Sequence, residues 1–355
     1  MKKLLFYLST LAALIFISCE DGDSTGTDIT ENNESILILN EGAFNKNNST
    51  LTKYNPFNRA TFIDYFNLTN KRGLGDVGND MILYGSKLYI VINISGTIEV
   101  VDPTTGLSIK QIPMKTEDGA SKQPRQITSY DGKIYVTSYD DTVSRIDTTT
   151  LTVDATIEVG MDPDGIVAQN GKLYVANSGG LNYFDGYNNT LSVIDAATFT
   201  VIDEIEVAVN PTNIDADNRG NVYISALGNY FDQPAVFQKL ETAAGTVTTI
   251  EEITSPGKFL IHDNKAYIVQ GSYGTSYSVV VYDCVTEEVV AENFITDGTQ
   301  IDIIYSISID PKTGDLFIME SDYIIPGSVY CFDKQGKLKY SIIAVGLNPN
   351  TVIVL

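Results

Sequence analysis

The side chains in this chain best suited to recognition sit in long, irregular segments rich in Asn, Asp, Gly and aromatic rings. These are EGAFNKNNS (41–49), SYDD (138–141), SGGLNYFDGYNN (178–189), LGNYFDQPA (227–235), GSYGTSY (271–277) and ESDYIIPGS (320–328). They supply Phe44, Asn45, Asn47, Tyr139, Asp140, Tyr183, Phe184, Tyr187, Tyr230, Phe231, Tyr273, Tyr277 and Tyr323 as candidate ligand-binding residues. Aromatic faces cover flat apolar surface, while amides and carboxylates bond a polar rim. The combination suits a large, flat, partly apolar ligand or a partner protein. Some of these rings are expected to pack between neighbouring elements instead.

Other chemistries find little support. One His and three Cys cannot assemble a zinc site of the usual kind. His262 stands in FLIHDNKAY, where a tight turn between two strands gives it a polar turn role rather than a catalytic one. Cys284 and Cys331 fall out of register on neighbouring repeats, so a disulfide between them is not expected. Asp80, Asp164 and Asn213 lie near the starts of inner strands, where they offer oxygen donors for a channel calcium ion. Asp and Asn are equally routine turn residues. A net charge of −22 repels phosphate backbones, which excludes nucleic acid as a partner. The chain therefore reads as a binding protein: not an enzyme, with no catalytic residue, no metal and no cofactor.

The elements that must position these segments repeat. Clear copies are GSKLYIVINISGTIEVVDPTTG (85–106), DGKIYVTSYDDTVSRIDTTTLT (131–152) and NGKLYVANSGG…NTLSVIDAATFT (170–200), with looser ones elsewhere. Aligned on Ile36, Tyr89, Tyr135, Tyr174, Tyr223, Tyr267 and Phe317, they are separated by 53, 46, 39, 49, 44 and 50 residues. A unit of this length holding four short strands of period-two alternation is a propeller blade. The fold expected is all-β, a seven-bladed β-propeller over 35–355. The C-terminal run NPNTVIVL has no copy behind it, so Thr351–Leu355 should pair with Ile36–Asn40 and seal the ring. The short turns (YGSK, YDGK, DPTTG, DTTT) alternate with the long segments, so one face of the ring should be chemically rich and the other bare.

Ahead of the blades, residues 1–18 carry a Lys pair and an apolar run that ends before Cys19, the pattern of an export signal too short to be a committed membrane span. Cys19 reads as a lipidated first residue, an anchor to the membrane through lipid, although Phe16 stands where Leu is commonest. Residues 19–34 form an acidic, polar tether, with Glu20, Asp21 and Asp23 directly after Cys19.

The copy GKLYVANSGG…TLSVIDAATFTVIDEIEVAVNPTNI over 170–214 resembles the YncE-like, surface-layer-type propellers. ILNEGAFNKNNSTLTKYNP, GLGDVGNDMILYGSKLYIVIN and GSVYCFDKQGKLKYSIIAVGLNPN are similar to a narrower group, the Bacteroidetes surface lipoproteins that include the BtuG-type cobalamin-capturing propellers. That resemblance implies a lipid-anchored protein at the cell surface of the outer membrane. It would capture cobalamin (vitamin B12) and pass it to a TonB-dependent outer-membrane transporter. A glycan, a siderophore or a partner protein would use the same loops. A calcium-dependent lactonase-type hydrolase is the enzymatic alternative.

Overall fold

The computed structural model describes residues 34–355 apart from Asp185 and Tyr273. The expected leader 1–18, the lipidation site Cys19 and the tether up to residue 33 lie outside the described residues. The rest forms seven four-stranded antiparallel sheets. Blade 2, for example, consists of Gly78–Tyr84, Lys87–Ile92, Thr97–Val101 and Ser108–Pro113, in spatial as in chain order. The first strands of the blades neighbour one another in a closed circle, so they line the central channel. Blade 1 is built from both ends of the described chain. Pro349–Val354 is its inner strand and pairs with Ile36–Asn40, followed by Thr50–Tyr54 and the two-residue outer strand Thr61–Phe62. The expected closure is therefore present, and no open inner edge remains to pair with another chain.

Alternation within the second strands explains how the blades hold together. Leu88, Ile90 and Ile92 pack toward blade 1, whereas Tyr89 and Val91 pack toward blade 3. Seven such clusters, one between each pair of neighbouring blades, make up the core. Backbone bonding corrects one anchor of the sequence alignment. The residue after each second strand donates its N–H to the carbonyl just before the inner strand of the same blade, as Asn93 does to Val77 and Glu41 to Asn348. By that register the partner of Tyr89 in blade 1 is Leu37, not Ile36. Leu37 accordingly packs toward blade 2.

The inner strands share one more device. Val77, Gln123, Asp162, Asn210, Ser255 and Asn348, each directly before an inner strand, have left-handed backbone with φ between 44° and 62°. A break in register follows within the first residues of all seven inner strands. Such bulges bend a strand and re-aim its side chains. Here they act at one end of the channel, on the side chains of Asn79, Arg125, Asp164, Thr212, Tyr305 and Asn350. Gly257 takes the equivalent place in blade 6.

A short helix, Tyr65–Asn70, interrupts the linker from blade 1 to blade 2. Asp64 caps it by accepting from the Asn67 N–H, and Phe66 is buried beneath. The thiols of Cys284 and Cys331 are free and buried.

Candidate functional site

The loops between second and third strands, together with the blade-to-blade linkers, gather on one face, called upper here. An isolated bridge from Ser49 to Gly75 joins loop to linker. The opposite, lower face is made of short turns. Asp131-Gly132, Asn170-Gly171 and Asp263-Asn264 have φ positive at both central positions, the conformation that closes a two-residue hairpin. The turns from third to fourth strand are capped by a side-chain oxygen. Asp102 accepts from the N–H groups of Thr104 and Thr105, Asp147 from Thr149 and Thr150, and Asp283 from Val285 and Thr286. His262 ends an inner strand beside Asp263 at this face, with Nε2 3.4 Å from the carboxylate. It borders a polar depression of ≈ 470 Å³ shared with Lys265, Lys312 and Lys334, so the lower face is not featureless.

On the upper face the candidate residues divide into three groups. The first stands free in solvent. Phe231 is 94% exposed, Phe184 86% and Tyr230 72%. Tyr183 lies against Phe184 with ring centres 4.1 Å apart and planes tilted by 37°, and Tyr187 meets Tyr230 edge-on at 6.0 Å. These five rings come from the loops of blades 4 and 5. Four of them form an exposed aromatic arc and Tyr187 is half-buried beside it; burial of such exposed rings by a ligand is strongly favourable. A groove of ≈ 370 Å³ runs beneath Tyr230 and Phe231 toward Gly257 and Gly271. Phe44 is also exposed, across the ring in blade 1. Its neighbours Asn45 and Asn47 sit in left-handed turn positions, where the Asn45 N–H donates to Asp76 Oδ1 at 3.1 Å.

The second group has been drawn into the structure. Asp140 is bound by Lys122 Nζ at 2.7 Å and by the Thr142 hydroxyl at 2.6 Å. The Tyr139 hydroxyl donates to Asp164 Oδ2 at 3.1 Å, and its ring lies 4.6 Å under the Arg125 guanidinium. Burial, followed by the nearby Asp164 carboxylate, holds the Tyr139 hydroxyl well above the ordinary tyrosine range. Tyr139 therefore supports the channel mouth rather than standing open to solvent.

The third group lines the mouth itself, a cavity of ≈ 410 Å³ bounded by the starts of the inner strands of blades 3 to 7 and by Tyr277 and Tyr323. Arg125 grips Asp164 with Nε at 3.1 Å and Nη2 at 3.2 Å, and its Nη1 donates to Asn79 Oδ1 at 2.8 Å. Burial opposes the guanidinium charge, but Asp164, Tyr139 and Glu41 together hold Arg125 above its ordinary range. The Tyr305 hydroxyl donates to Glu41, and its ring meets Tyr323 edge-on at 5.4 Å. Burial and Glu41 raise the Tyr305 hydroxyl far above its usual range. Below the mouth, burial pushes the carboxyls of Asp80 and Asp215 up to about 6, in Asp80 against the opposing pull of Lys258.

Tyr273 lies outside the described residues. Two of the three oxygen donors considered for calcium have other partners. Asp164 is held by Arg125, and Asp80 accepts the N–H groups of Met81 at 2.8 Å and Ile127 at 3.2 Å. Among the described residues no group of three or more His, Cys, Asp or Glu side chains converges to hold a metal ion.

Sequence reading missed Arg125, Asn79, Glu41 and Lys258. Their signal is positional. Five inner strands open with Pro, and the next residue is Arg125, Asp164, Thr212, Gly257 or Asn350 in turn. In aligned repeats that column marks the mouth.

A closed propeller with one loop-rich face and a polar central mouth is the class that this fold defines. The chain belongs to the family described as Domain of unknown function (DUF5074), which it matches over residues 34–344. No curated protein matches the sequence. Among solved structures it is similar to hydrazine synthase from Kuenenia stuttgartiensis, with 16% identity and TM-score 0.56 over 70% of this chain and 74% of that one. A structure of U3-55K aligns with 11% identity and TM-score 0.56 over 75% of this chain and 80% of the other. The computationally designed Ika8 protein aligns with 12% identity and TM-score 0.56 over 88% of both chains. At such identities these likenesses speak for the fold alone.

Proposed function

We propose that the upper face captures a large, flat, partly apolar ligand for delivery rather than for reaction, with cobalamin as the first cargo to test. The observation that carries the reading is the exposed arc of Tyr183, Phe184, Tyr230 and Phe231 beside a polar mouth of ≈ 410 Å³. Rings held on rigid blades lose little freedom on binding, so their burial converts efficiently into affinity. The choice of cobalamin, of a lipid anchor on Cys19 at the cell surface and of a TonB-dependent transporter as recipient rests on the resemblance of the repeats to BtuG-type lipoproteins. An anchored capture protein beside a transporter would raise the local concentration of cargo.

A partner-protein surface is the second reading. It is favoured by Ile324 and Ile325, which stand in solvent beside Tyr323 on the blade 7 loop. Titration of the protein with cyanocobalamin by calorimetry tests the first reading. Tight one-to-one binding lost in the Tyr183→Ala, Phe184→Ala, Tyr230→Ala, Phe231→Ala variant is the expected result. No heat at micromolar protein overturns cobalamin as cargo and sends the search to siderophores, glycans and partner proteins.

A further inference from the structure

The two sides of the mouth differ in how their charges are met. Toward blades 2 to 4, Arg125, Asp164 and Asn79 satisfy one another. Toward blades 5 to 7 the wall consists of Thr212, Asn213, Gly257, Lys258, Tyr277, Tyr305 and Tyr323, and its one cation among the described residues is Lys258. Lys258 is half-buried, yet it makes no salt bridge and no hydrogen bond with any described residue. Asp80 feels its charge through space but lies beyond salt-bridge distance. The hydroxyls of Tyr277 and Tyr323 are likewise without a hydrogen-bond partner among the described residues, whereas that of Tyr305 is spent on Glu41.

Gly257, next to Lys258 in the chain, lines the same mouth without a side chain. That residue has no left-handed backbone to excuse it, and a Cβ added there would come no closer than 3.5 Å to any neighbour, the Val269 carbonyl. A side chain fits sterically at this position, and six other blades have one. What its absence provides is room beside an unanswered ammonium group.

Resting on the capture reading above, we infer that this half of the mouth seats an oxyanion of the ligand, a carboxylate or a phosphate. Lys258 Nζ meets the charge, and the free hydroxyls of Tyr277 and Tyr323 supply further donors. The ligand's apolar body then lies outward along the groove toward Tyr230 and Phe231, which shares Leu227, Gly257 and Gly271 with the mouth. In a chain of net charge −22, long-range attraction does not bring anions here. The seat works at contact, where a charge-assisted bond in a partly dry site is strong.

The test uses 1-naphthyl phosphate, 1-naphthoate and neutral 1-naphthol as probes of the whole protein, by calorimetry. At least one anion should bind about tenfold or more tightly than the alcohol, as one charge-assisted bond provides. Lys258→Met should erase that preference and leave 1-naphthol unchanged. Lys258→Arg should retain it, Gly257→Leu should weaken both anions by filling the seat, and Lys312→Met on the lower face should change nothing. Whichever anion binds more tightly names the group. Equal binding of anions and alcohol by the wild type, or anion binding that survives Lys258→Met, overturns the seat. Lys258-dependent anion binding without any heat from cyanocobalamin keeps the seat and overturns cobalamin as cargo. Cyanocobalamin binding that is neither weakened by Lys258→Met nor displaced by 1-naphthyl phosphate does the reverse.

Discussion

The turns of the lower face and the loops of the upper face join the same strands, yet they follow opposite rules. Below, one solution recurs from blade to blade. An Asp or Asn caps the turn, and the fifth residue returns its N–H to the first, as Gly106 does to Asp102, Leu151 to Asp147, Phe199 to Asp195 and Glu287 to Asp283. Above, no two loops agree in sequence, and the exposed rings concentrate in blades 4, 5 and 7. A feature that recurs in blades 2, 3, 4 and 6 meets a need those blades share, which is closure of a hairpin. A feature that occurs once meets a need of the whole molecule.

The harshest way to break the contrast is to remove what both faces depend on. Deleting residues 349–355 takes the inner strand out of blade 1 and exposes the edge of Ile36–Asn40. The cooperative thermal transition should vanish, with both faces lost together. A variant that still melts sharply would show that six blades suffice.

Next in size, replacing Tyr183, Phe184, Tyr230 and Phe231 together by Ala should lower ligand affinity by about 100-fold or more, as loss of aromatic anchors does. The melting temperature should move by no more than about 2 °C, because rings already in solvent contribute little to stability. A large fall in melting temperature would mean that the arc is structural after all.

Asp164→Ala probes the part of the upper face that behaves like the lower. It strands the Arg125 guanidinium without its carboxylate, and loss of one partner from a buried pair costs about 3 kcal/mol. Asp164→Asn, which still accepts a hydrogen bond, should lie between. On the lower face, Asp283→Ala removes one cap among several and should lower the melting temperature by about 1–2 °C while leaving ligand affinity untouched.

The finest test of the contrast is pH. The Asp102, Asp195 and Asp283 carboxyls are held below their usual range chiefly by backbone N–H donors. Their stabilisation is complete above the unfolded value near 4 and is lost as pH falls through the lower folded values. Asp80 and Asp215 have the opposite sign. Burial raises them to about 6, so the folded state favours their protonated forms, and stability rises as pH falls from 7 through 6 toward 4. Melting temperature against pH should therefore climb on mild acidification and drop on strong acidification. Asp80→Asn combined with Asp215→Asn should flatten the climb and leave the drop.

Much of the scaffold could be read from sequence because each blade restates it. PRQITSY and PDGIVAQ coincide with the inner strands Pro124–Tyr130 and Pro163–Gln169, and the closing role of the C-terminus follows from a fourth run left over. Legibility faded where repetition failed. Blade 1 has Leu37 where other blades have an aromatic ring, so its alignment slipped by one. The helix Tyr65–Asn70 occupies a linker with no counterpart elsewhere. The mouth was hidden for a different reason. Arg125, Asp164 and Asn79 belong to three blades, and only the curvature of the ring brings them within hydrogen-bond reach. That the loop aromatics gather on one face could be anticipated from the strand alternation. Which of them would be drawn in, as Tyr139 was, depended on a cation 14 residues earlier in the chain but in the neighbouring strand's bulge.

The seam has one more consequence. Leu355 donates its N–H to the Ser35 carbonyl at 2.9 Å, so the ring begins and ends at the same point, at the lower end of blade 1. Anything tied to either end, whether a tether, a tag or a solid support, is moored to the floor of the ring, and the mouth is left facing away from the mooring. The ring is thus polar in the mechanical sense, with both its ends at one pole and its long loops at the other.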